Sequence, residues 1–219
     1  MKKQIHLIVD LGWGSSGKGS LACKLARELN PDTVALAFMP NAGHTSIDRD
    51  GRKLVHMMMP NGINGAGLKR ILMGAGSAIN PDILQSEYEA CSDLLKNVVL
   101  AIHPSAAIVD QRHRDEEAGP MTKIGSTRKG CGAALVQRIK RDPDDMNVAK
   151  ASTHPFIQKH VVTVQQYNDL MDEAKIILIE SAQGFGLSMY HGFYPYTTSR
   201  DVTPHQILAD CCIPNNFGK

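Results

Sequence analysis

The sequence predicts an α/β fold with a mostly parallel central sheet, a P-loop-like phosphate-binding turn and flanking helices. Short apolar runs alternate along the chain with segments of helical periodicity, which is typical of parallel α/β sheets. A glycine-rich turn follows the first apolar run and leads into the first helical segment. Hydrophobic residues make up 42% of the chain and charged residues 21%, which is an ordinary globular composition.

These patterns predict the elements in chain order. The first strand covers residues 5–9, and the first helix follows the glycine-rich turn, with apolar residues at helical spacing up to Leu29. Asn80 and Thr203 each precede a proline and are therefore predicted N-caps. Further strands are predicted over 33–38, 54–58, 70–73, 98–102 and 175–180, and further helices over 81–96, 164–173 and 203–212.

We expect a single domain over residues 1–219, because a chain of this length can bury one substantial core. The last residues, 214–219, have loop composition and follow a predicted helix. Loop residues at a terminus need a following element to hold them in place, so we expect more chain beyond them in the natural protein.

Charge and cysteine content narrow the possible functions. The 24 Lys and Arg residues against 22 Asp and Glu residues give a net charge of +2. This balance offers no general electrostatic reason to bind a nucleic-acid backbone or an anionic membrane. No apolar run reaches the ~20 residues that span a bilayer. The five cysteines lack zinc-type spacing, and reduced thiols in a cytoplasm are the simplest interpretation.

The glycine-rich turn, residues 12–19, fits the pattern G-x-x-x-x-G-K of phosphate-binding loops. Its glycines let backbone N–H groups approach phosphate oxygens, and the N-terminus of the following helix carries a partial positive charge. Lys18, expected on an exposed loop, supplies a full positive charge. Gly19 stands where such loops usually carry a Ser or Thr that holds Mg²⁺, so the metal would have to be held in another way.

Three further clusters have related chemistry. Residues 40–45 follow a predicted strand and include His44, which can act as an acid or base near neutral pH. Residues 124–132 form a turn rich in Gly, Ser and Thr that suits a monophosphate, although a plain loop explains it equally well. Residues 180–184 end the last predicted strand and include Gln183, whose amide can both donate and accept hydrogen bonds.

These four clusters, in this order, resemble motifs of the adenylosuccinate synthetase family. The matching segments are 13–19, 41–45, 125–127 with a downstream arginine, and 180–184 followed by 194–196. The resemblance implies an enzyme that joins L-aspartate to a purine monophosphate and consumes a nucleoside triphosphate with Mg²⁺. The family's reaction has two steps, which are phosphorylation of purine O6 and displacement of that phosphate by the aspartate amine.

The resemblance also implies roles for individual residues. Ser15, Lys18 and His44 are the expected catalytic positions, and the Gly43 carbonyl and Ser15 are the expected metal ligands. Triphosphate binding is expected from Gly14, Ser15, Ser16, Gly17, Lys18, Gly19, Ser20, Gly43, His44 and Thr45. Purine monophosphate binding is expected from Ser15, Asn41, Ala42, Ser126, Thr127, Arg141, Gln183 and Thr198. Arg141 would act in the partner subunit of a homodimer.

Ser15 departs from the family pattern, which has a carboxylate there as a base on purine N1 and as a metal ligand. A serine hydroxyl is no general base at pH 7. One branch, the bacteriophage 2-aminoadenylosuccinate synthetases, has serine here, acts on dGMP and prefers ATP or dATP to GTP. Resemblance to that branch implies a succinylated product for 2,6-diaminopurine DNA, made in the host cytoplasm. A small side chain also leaves room for the C2 amine of guanine.

Three alternatives stay open at this point. The first is an ordinary adenylosuccinate synthetase that uses IMP and GTP. The second is a small-molecule kinase that uses only the 12–19 loop, although Gly19 and the other three clusters count against it. The third is an inactive nucleotide-binding module, which the loss of the carboxylate at Ser15 favours.

Overall fold

The computed structural model describes residues 3–119 and 123–214, and it has the predicted α/β fold with a mostly parallel central sheet. The strands in these residues are β1 (Gln4–Ile8), β2 (Thr33–Leu36), β3 (His44–Ile47), β4 (Lys53–His56), β5 (Arg70–Met73), β6 (Ala78–Ile79), β7 (Val99–Ile102), β8 (Ala107–Ile108) and β9 (Ile176–Glu180). The helices are α1 (Lys18–Leu29), α2 (Pro81–Ala90), α3 (Gln111–Ala118), α4 (Cys131–Lys140), α5 (Pro155–His160), α6 (Val164–Asp172) and α7 (Pro204–Asp210). Short 3₁₀ turns lie at Asn61–Asn64, Ala149–Ala151 and Phe185–Leu187.

Five strands form a parallel sheet in the order β1-β9-β2-β5-β7. Because the strands run in the same direction, their carboxyl ends meet at one edge of the sheet, which is where α/β proteins bind ligands. Three of the four chemical clusters follow β1, β9 and β2, and these strands are direct neighbours. The topology therefore brings the 12–19 loop, the 180–184 segment and the 40–45 segment together.

Apolar side chains cover both faces of this sheet, as expected for parallel strands. In the central strand β2, Val34 and Leu36 belong to one buried cluster and Ala35 to the other, and all three are fully buried. The cluster that contains Val34 includes residues of α1 and α2, and the other includes Tyr167 of α6 and Ile207 of α7. Two packed faces hold the strand ends in fixed positions, which a binding site at that edge requires.

Two two-stranded sheets accompany the five-stranded sheet in the described residues. β3 and β4 form an antiparallel hairpin in which His44 lies opposite His56, and β6 pairs in parallel with β8. The sequence predicted β4, but it did not predict β3, β6 or β8, whose pairing depends on contacts that local pattern does not record. The helices α3 and α5 were also missed, because they are short and α3 has almost no apolar face.

The predicted strands all form, and their ends lie within two residues of the expected positions. The caps are also confirmed, since the Asn80 side chain accepts a hydrogen bond from the Ile83 N–H and Thr203 accepts one from the Gln206 N–H. The predicted helix over 81–96 is wrong in its second half, because α2 ends at Ala90. Tight turns follow it, and they bring Leu95 into the core.

Two further observations concern the length of the helices and the end of the chain. In the described ranges, every helix is too short or too polar to cross a membrane. The predicted terminal loop lies mostly outside the described residues, which end at position 214.

Candidate active site

A cavity of about 470 Å³ opens at the carboxyl ends of β1, β9 and β2. Its volume lies in the usual range for small-molecule sites. The residues that line it are Trp13, Gly14, Ser15, Ser16, Gly17, Lys18, Gly19, Ser20, Asn41, Ala42, Gly43, His44, Thr45, Gln183 and Leu187. All ten residues predicted to bind a triphosphate are in this set, so the structure brings them together around one space.

The N-terminus of α1 faces this cavity. Gly17 occupies the N-cap position with φ 81°, a left-handed conformation that favours glycine. Gly17 has no side chain to accept hydrogen bonds from the first N–H groups of the helix, and no acidic residue lies in its first turn. The backbone N–H groups of this turn and the positive end of the helix dipole therefore face the cavity, an arrangement that suits an anion.

Lys18 is buried, with 8% of its surface exposed, so the expectation of an exposed side chain was wrong. Its ammonium nitrogen lies 3.1 Å from Oδ2 of Asp10, which follows β1 and is also buried. The Asp10 carboxylate attracts the ammonium group into the base of the loop. Lys18 nevertheless lines the cavity, so its charge is available there.

The packing of the β3–β4 hairpin on α1 explains why position 19 is a glycine. A Cβ atom at this position would lie 2.9 Å from the backbone N and O atoms of Thr45 and from the Asn61 amide. Neighbouring backbone cannot move aside as a flexible side chain would, so the Ser or Thr typical of phosphate loops does not fit. The hydroxyl group that commonly holds Mg²⁺ is thus excluded by the packing of β3 on α1.

His44 is held on two sides. Its Nδ1 atom lies 3.0 Å from Oε1 of Glu180, and its ring stacks on Phe38 with 4.3 Å between ring centres. Glu180 is fully buried, and its other oxygen accepts hydrogen bonds from the N–H groups of Asn61 and Gly62. A carboxylate at Nδ1 fixes the ring orientation and leaves Nε2 for a ligand.

His56, opposite His44 in the hairpin, has a different environment. Burial is the main reason that its pKa falls to about 4, and the nearby positive charges of His44 and Arg52 lower it further. His56 is therefore neutral at pH 7, and its Nε2 lies 3.3 Å from Sγ of Cys91, away from the cavity lining. Of the two histidines, only His44 lines the site.

The segment after β9 forms another wall. Gln183 has φ 66° and lines the cavity, together with Asn41 and Ala42 from the segment after β2. A Cβ atom on Gly184 would lie 2.4 Å from the backbone N atom of Gly14, so only glycine allows the two segments to approach this closely. The predicted monophosphate residues Ser15, Asn41, Ala42 and Gln183 therefore share the cavity with the phosphate loop.

The other four predicted monophosphate residues do not line this cavity; they are Ser126, Thr127, Arg141 and Thr198. Arg141 is exposed at the end of α4 and lines a neighbouring cavity of about 730 Å³. Thr198 lies beside the site, since its N–H donates to the carbonyl of Leu187, which lines the cavity. Its buried Oγ1 atom has no hydrogen-bond partner among the described residues.

The turn before α4 is partly filled by a protein carboxylate. The buried Glu117 accepts hydrogen bonds from the N–H groups of Gly130, Gly132 and Ala133, with distances of 2.7, 2.7 and 3.2 Å. These are the N–H groups that a phosphate at this helix end would use. Of this turn, the part with Ser126 and Thr127 is left for a ligand, and Thr127 is exposed.

Sequence reasoning missed two carboxylates, Asp10 and Glu180, as functional residues. Each stands at the end of a strand that leads into the site, and a charged residue that ends an apolar strand is the signal that could have found them. Within residues 3–119 and 123–214, no group of three His, Cys, Asp or Glu side chains is arranged to hold a metal ion.

Comparisons with known proteins identify the family to which this chain belongs. A model of the adenylosuccinate synthetase family matches residues 7–155 and 144–217. The N6-succino-2-amino-2'-deoxyadenylate synthase of Salmonella phage PMBT28 is 43% identical over 98% of this chain and 62% of its own length. The adenylosuccinate synthetase of Thermococcus onnurineus is 35% identical over 94% of this chain and 60% of its own length.

A solved structure of Cyanophage S-2L succinoaminodeoxyadenylate synthetase, bound to dGMP and to dATP as an energy donor, aligns with a TM-score of 0.91 and 41% identity. The alignment covers 99% of this chain and 62% of that chain. The chain thus spans somewhat more than half the length of the relatives it matches. The family resemblance read from the four motifs is confirmed, and this chain belongs to the adenylosuccinate synthetase family.

Proposed function

We propose that the protein is a ligase that condenses L-aspartate with C6 of dGMP, using ATP or dATP and Mg²⁺. The product is 2-amino-2'-deoxy-N6-succinyl-AMP, an intermediate for 2,6-diaminopurine DNA. The observation that supports this proposal most directly is that Ser15 lines the same cavity as Lys18 and His44. The similarity to a phage structure that holds dGMP and dATP supports the proposal.

In the first step, O6 of the purine attacks the γ-phosphorus of the triphosphate as the N1 proton passes to water, the bond to the bridging oxygen breaks, and the nucleoside diphosphate leaves. Lys18 and the N-terminus of α1 stabilise the negative charge on the transferring group. His44 donates a proton from Nε2 to the phosphoryl bridge, and Glu180 keeps the ring oriented from Nδ1.

In the second step, the aspartate amine attacks C6 and loses a proton, the C6–O6 bond breaks, and inorganic phosphate leaves with the former O6 atom. Asn41 and Gln183 hold the purine in this proposal, which is supported by their position in the cavity lining beside Ser15. The protein contributes mainly orientation here, since it keeps the activated carbon in place for the incoming amine.

The donor set in the cavity fits Mg²⁺ bound together with phosphates. The Gly43 carbonyl and the Ser15 hydroxyl are oxygen donors, and Mg²⁺ usually takes one or two protein oxygens, phosphate oxygens and water. When bound, the ion would neutralise charge on the phosphates. Gly43 and Ser15 would hold it, while the packing around Gly19 excludes the more usual hydroxyl ligand.

Ser15 gives the sharpest test of the substrate. Ser15→Asp should lower kcat/KM for dGMP by roughly 5- to 150-fold, because the added carboxylate crowds and mispairs with the C2 amine. Activity on IMP should rise, because IMP lacks that amine and because the introduced carboxylate supplies a base at N1. The backbone tolerates the change, because Ser15 has φ 52° and Asp adopts this conformation readily.

The measurement is kcat/KM of wild type, Ser15→Asp and Ser15→Ala for dGMP, GMP and IMP. Ser15→Ala removes the hydroxyl without adding a charge, so it should keep the preference for dGMP. A wild-type protein that prefers IMP would refute the dGMP assignment and indicate ordinary adenylosuccinate synthesis. ADP formation without a succinylated product would indicate a kinase, and neither product would indicate a binding module.

We also propose a homodimer in which Arg141 reaches the monophosphate site of the partner subunit. Its exposed position outside its own chain's cavity supports this arrangement. Mixing inactive Arg141→Leu protein with inactive Lys18→Ala protein should restore part of the activity, because a mixed dimer contains one intact site. Activity that stays absent after confirmed subunit exchange would argue for a site built within one chain.

A further inference from the structure

The phosphate loop rests on a buried carboxylate that follows β1. Oδ1 of Asp10 accepts a hydrogen bond from the Gly12 N–H at 2.7 Å. Oδ2 accepts one from the Ser16 hydroxyl at 2.5 Å and one from the Lys18 ammonium at 3.1 Å. Only 7% of the Asp10 surface is exposed. One carboxylate thus contacts the beginning, the middle and the end of the loop.

The position of Asp10 is itself fixed by the fold. Its carbonyl accepts a hydrogen bond from the N–H of Phe185, in the segment after the neighbouring strand β9. Burial alone would raise the pKa of this carboxyl, but hydrogen bonds from Ser16, Gly12 and Lys18 outweigh burial and lower it. The group is therefore ionised at neutral pH and keeps its attraction for Lys18.

The contact between Asp10 and Lys18 matters because Lys18 carries the charge of the loop. Residues 12–19 contain no carboxylate, and Lys18 is the charged residue among them. A lysine ammonium has three N–H donors, and one of them points to Asp10. The other two can serve phosphate oxygens, because Lys18 also lines the cavity. An unpaired lysine, by contrast, has many rotamers to lose when a ligand binds.

We propose that Asp10 is a positioning residue of the phosphate site, which holds the Lys18 ammonium and the Ser16 hydroxyl in the arrangement that receives a triphosphate. Asp10 acts through these groups and not on the substrate. The inference rests on the proposed function only in taking a nucleoside triphosphate as the ligand of the loop.

Asp10→Asn tests this role through the direction of the change in ATP affinity as well as through its size. If the amide oxygen keeps the Gly12 contact, its NH2 group faces Lys18; in the flipped orientation a neutral oxygen faces Lys18 and the Gly12 contact is lost. The ion pair is lost in both cases. Removing a negative charge near the phosphates should by itself strengthen triphosphate binding. If Asp10 positions Lys18, binding of ATP should instead weaken by about 10-fold or more, because a buried charge-assisted contact is lost.

Asp48→Asn is the matched control. Asp48 is also buried, accepts backbone hydrogen bonds and pairs with an arginine, Arg52, but it lies in the β3–β4 hairpin and outside the cavity lining. The affinity for ATP can be followed by fluorescence of Trp13, the single tryptophan, which lines the cavity. Asp48→Asn should bind ATP as wild type does.

A second measurement does not depend on activity or on the variant folding. In wild-type protein, NMR should detect a slowly exchanging Lys18 ammonium group coupled through its hydrogen bond to the Asp10 carboxyl carbon. An Asp10→Asn protein that binds ATP as tightly as wild type, or more tightly, would overturn the proposal, as would a wild-type Lys18 without this coupling. Weaker ATP binding in Asp10→Asn, in a protein that makes no succinylated product from dGMP, would support Asp10 and refute the ligase.

Discussion

Lys18→Ala is expected to lower turnover by about 10³-fold, the range seen when a positioned charge is removed from a phosphoryl-transfer site. Lys18 supplies the side-chain charge of the 12–19 loop and lines the cavity beside the N-terminus of α1. Its ammonium stabilises charge that develops on the transferring phosphoryl group. The measurement is kcat with ATP, aspartate, Mg²⁺ and dGMP, together with ATP affinity from Trp13 fluorescence.

Because Lys18 forms an ion pair with Asp10, this prediction needs a control for protein stability. Removing one partner of a buried pair leaves the other charge unpaired, which commonly costs about 3–5 kcal/mol of folding free energy. Lys18→Ala should therefore unfold at a lower denaturant concentration, and its turnover has to be compared under conditions where it is folded. Lys18→Arg keeps the charge and should retain more stability. A folded Lys18→Ala protein with near-normal kcat would contradict the assigned role.

The three clusters of the site could be predicted from the sequence because each follows an apolar run. A strand of five or six apolar residues has a clear end, and the loop that follows it must lie at the sheet edge. The order β1-β9-β2, which makes the three loops neighbours, is a tertiary property. The family resemblance supplied the grouping that local pattern could not.

The partners of Lys18 and His44 show where prediction from local sequence ends. Asp10 is eight positions from Lys18, and Glu180 is 136 positions from His44. Both pairings depend on side-chain directions at strand ends, which periodicity does not record. The packing of Thr45 on Gly19 also could not be predicted from local sequence, because it depends on the hairpin packing against α1.

The fourth cluster shows a different limit. Its composition suits a phosphate, but Glu117, from the preceding helix α3, occupies the N–H groups at the start of α4. Helix α3 was not predicted, since its sequence is almost entirely polar, and its capping box of Asp110 and His113 was the available signal. A carboxylate on an unpredicted helix could not be placed in advance.

His44→Asn is expected to lower kcat by about 10²-fold or more, with little change in affinity for the purine monophosphate. Asparagine keeps a polar group in the buried space but cannot donate a proton from an imidazolium. Glu180→Gln should also lower kcat, because a neutral amide orients the ring at Nδ1 less firmly than the carboxylate does. His56→Asn is the matched control, since His56 is buried in the same hairpin but lies outside the cavity lining, and it should leave kcat within a few-fold. Measured kcat and nucleotide affinity for the three variants separate the possibilities: if His44→Asn loses binding and keeps kcat, His44 holds the ligand and is not the acid.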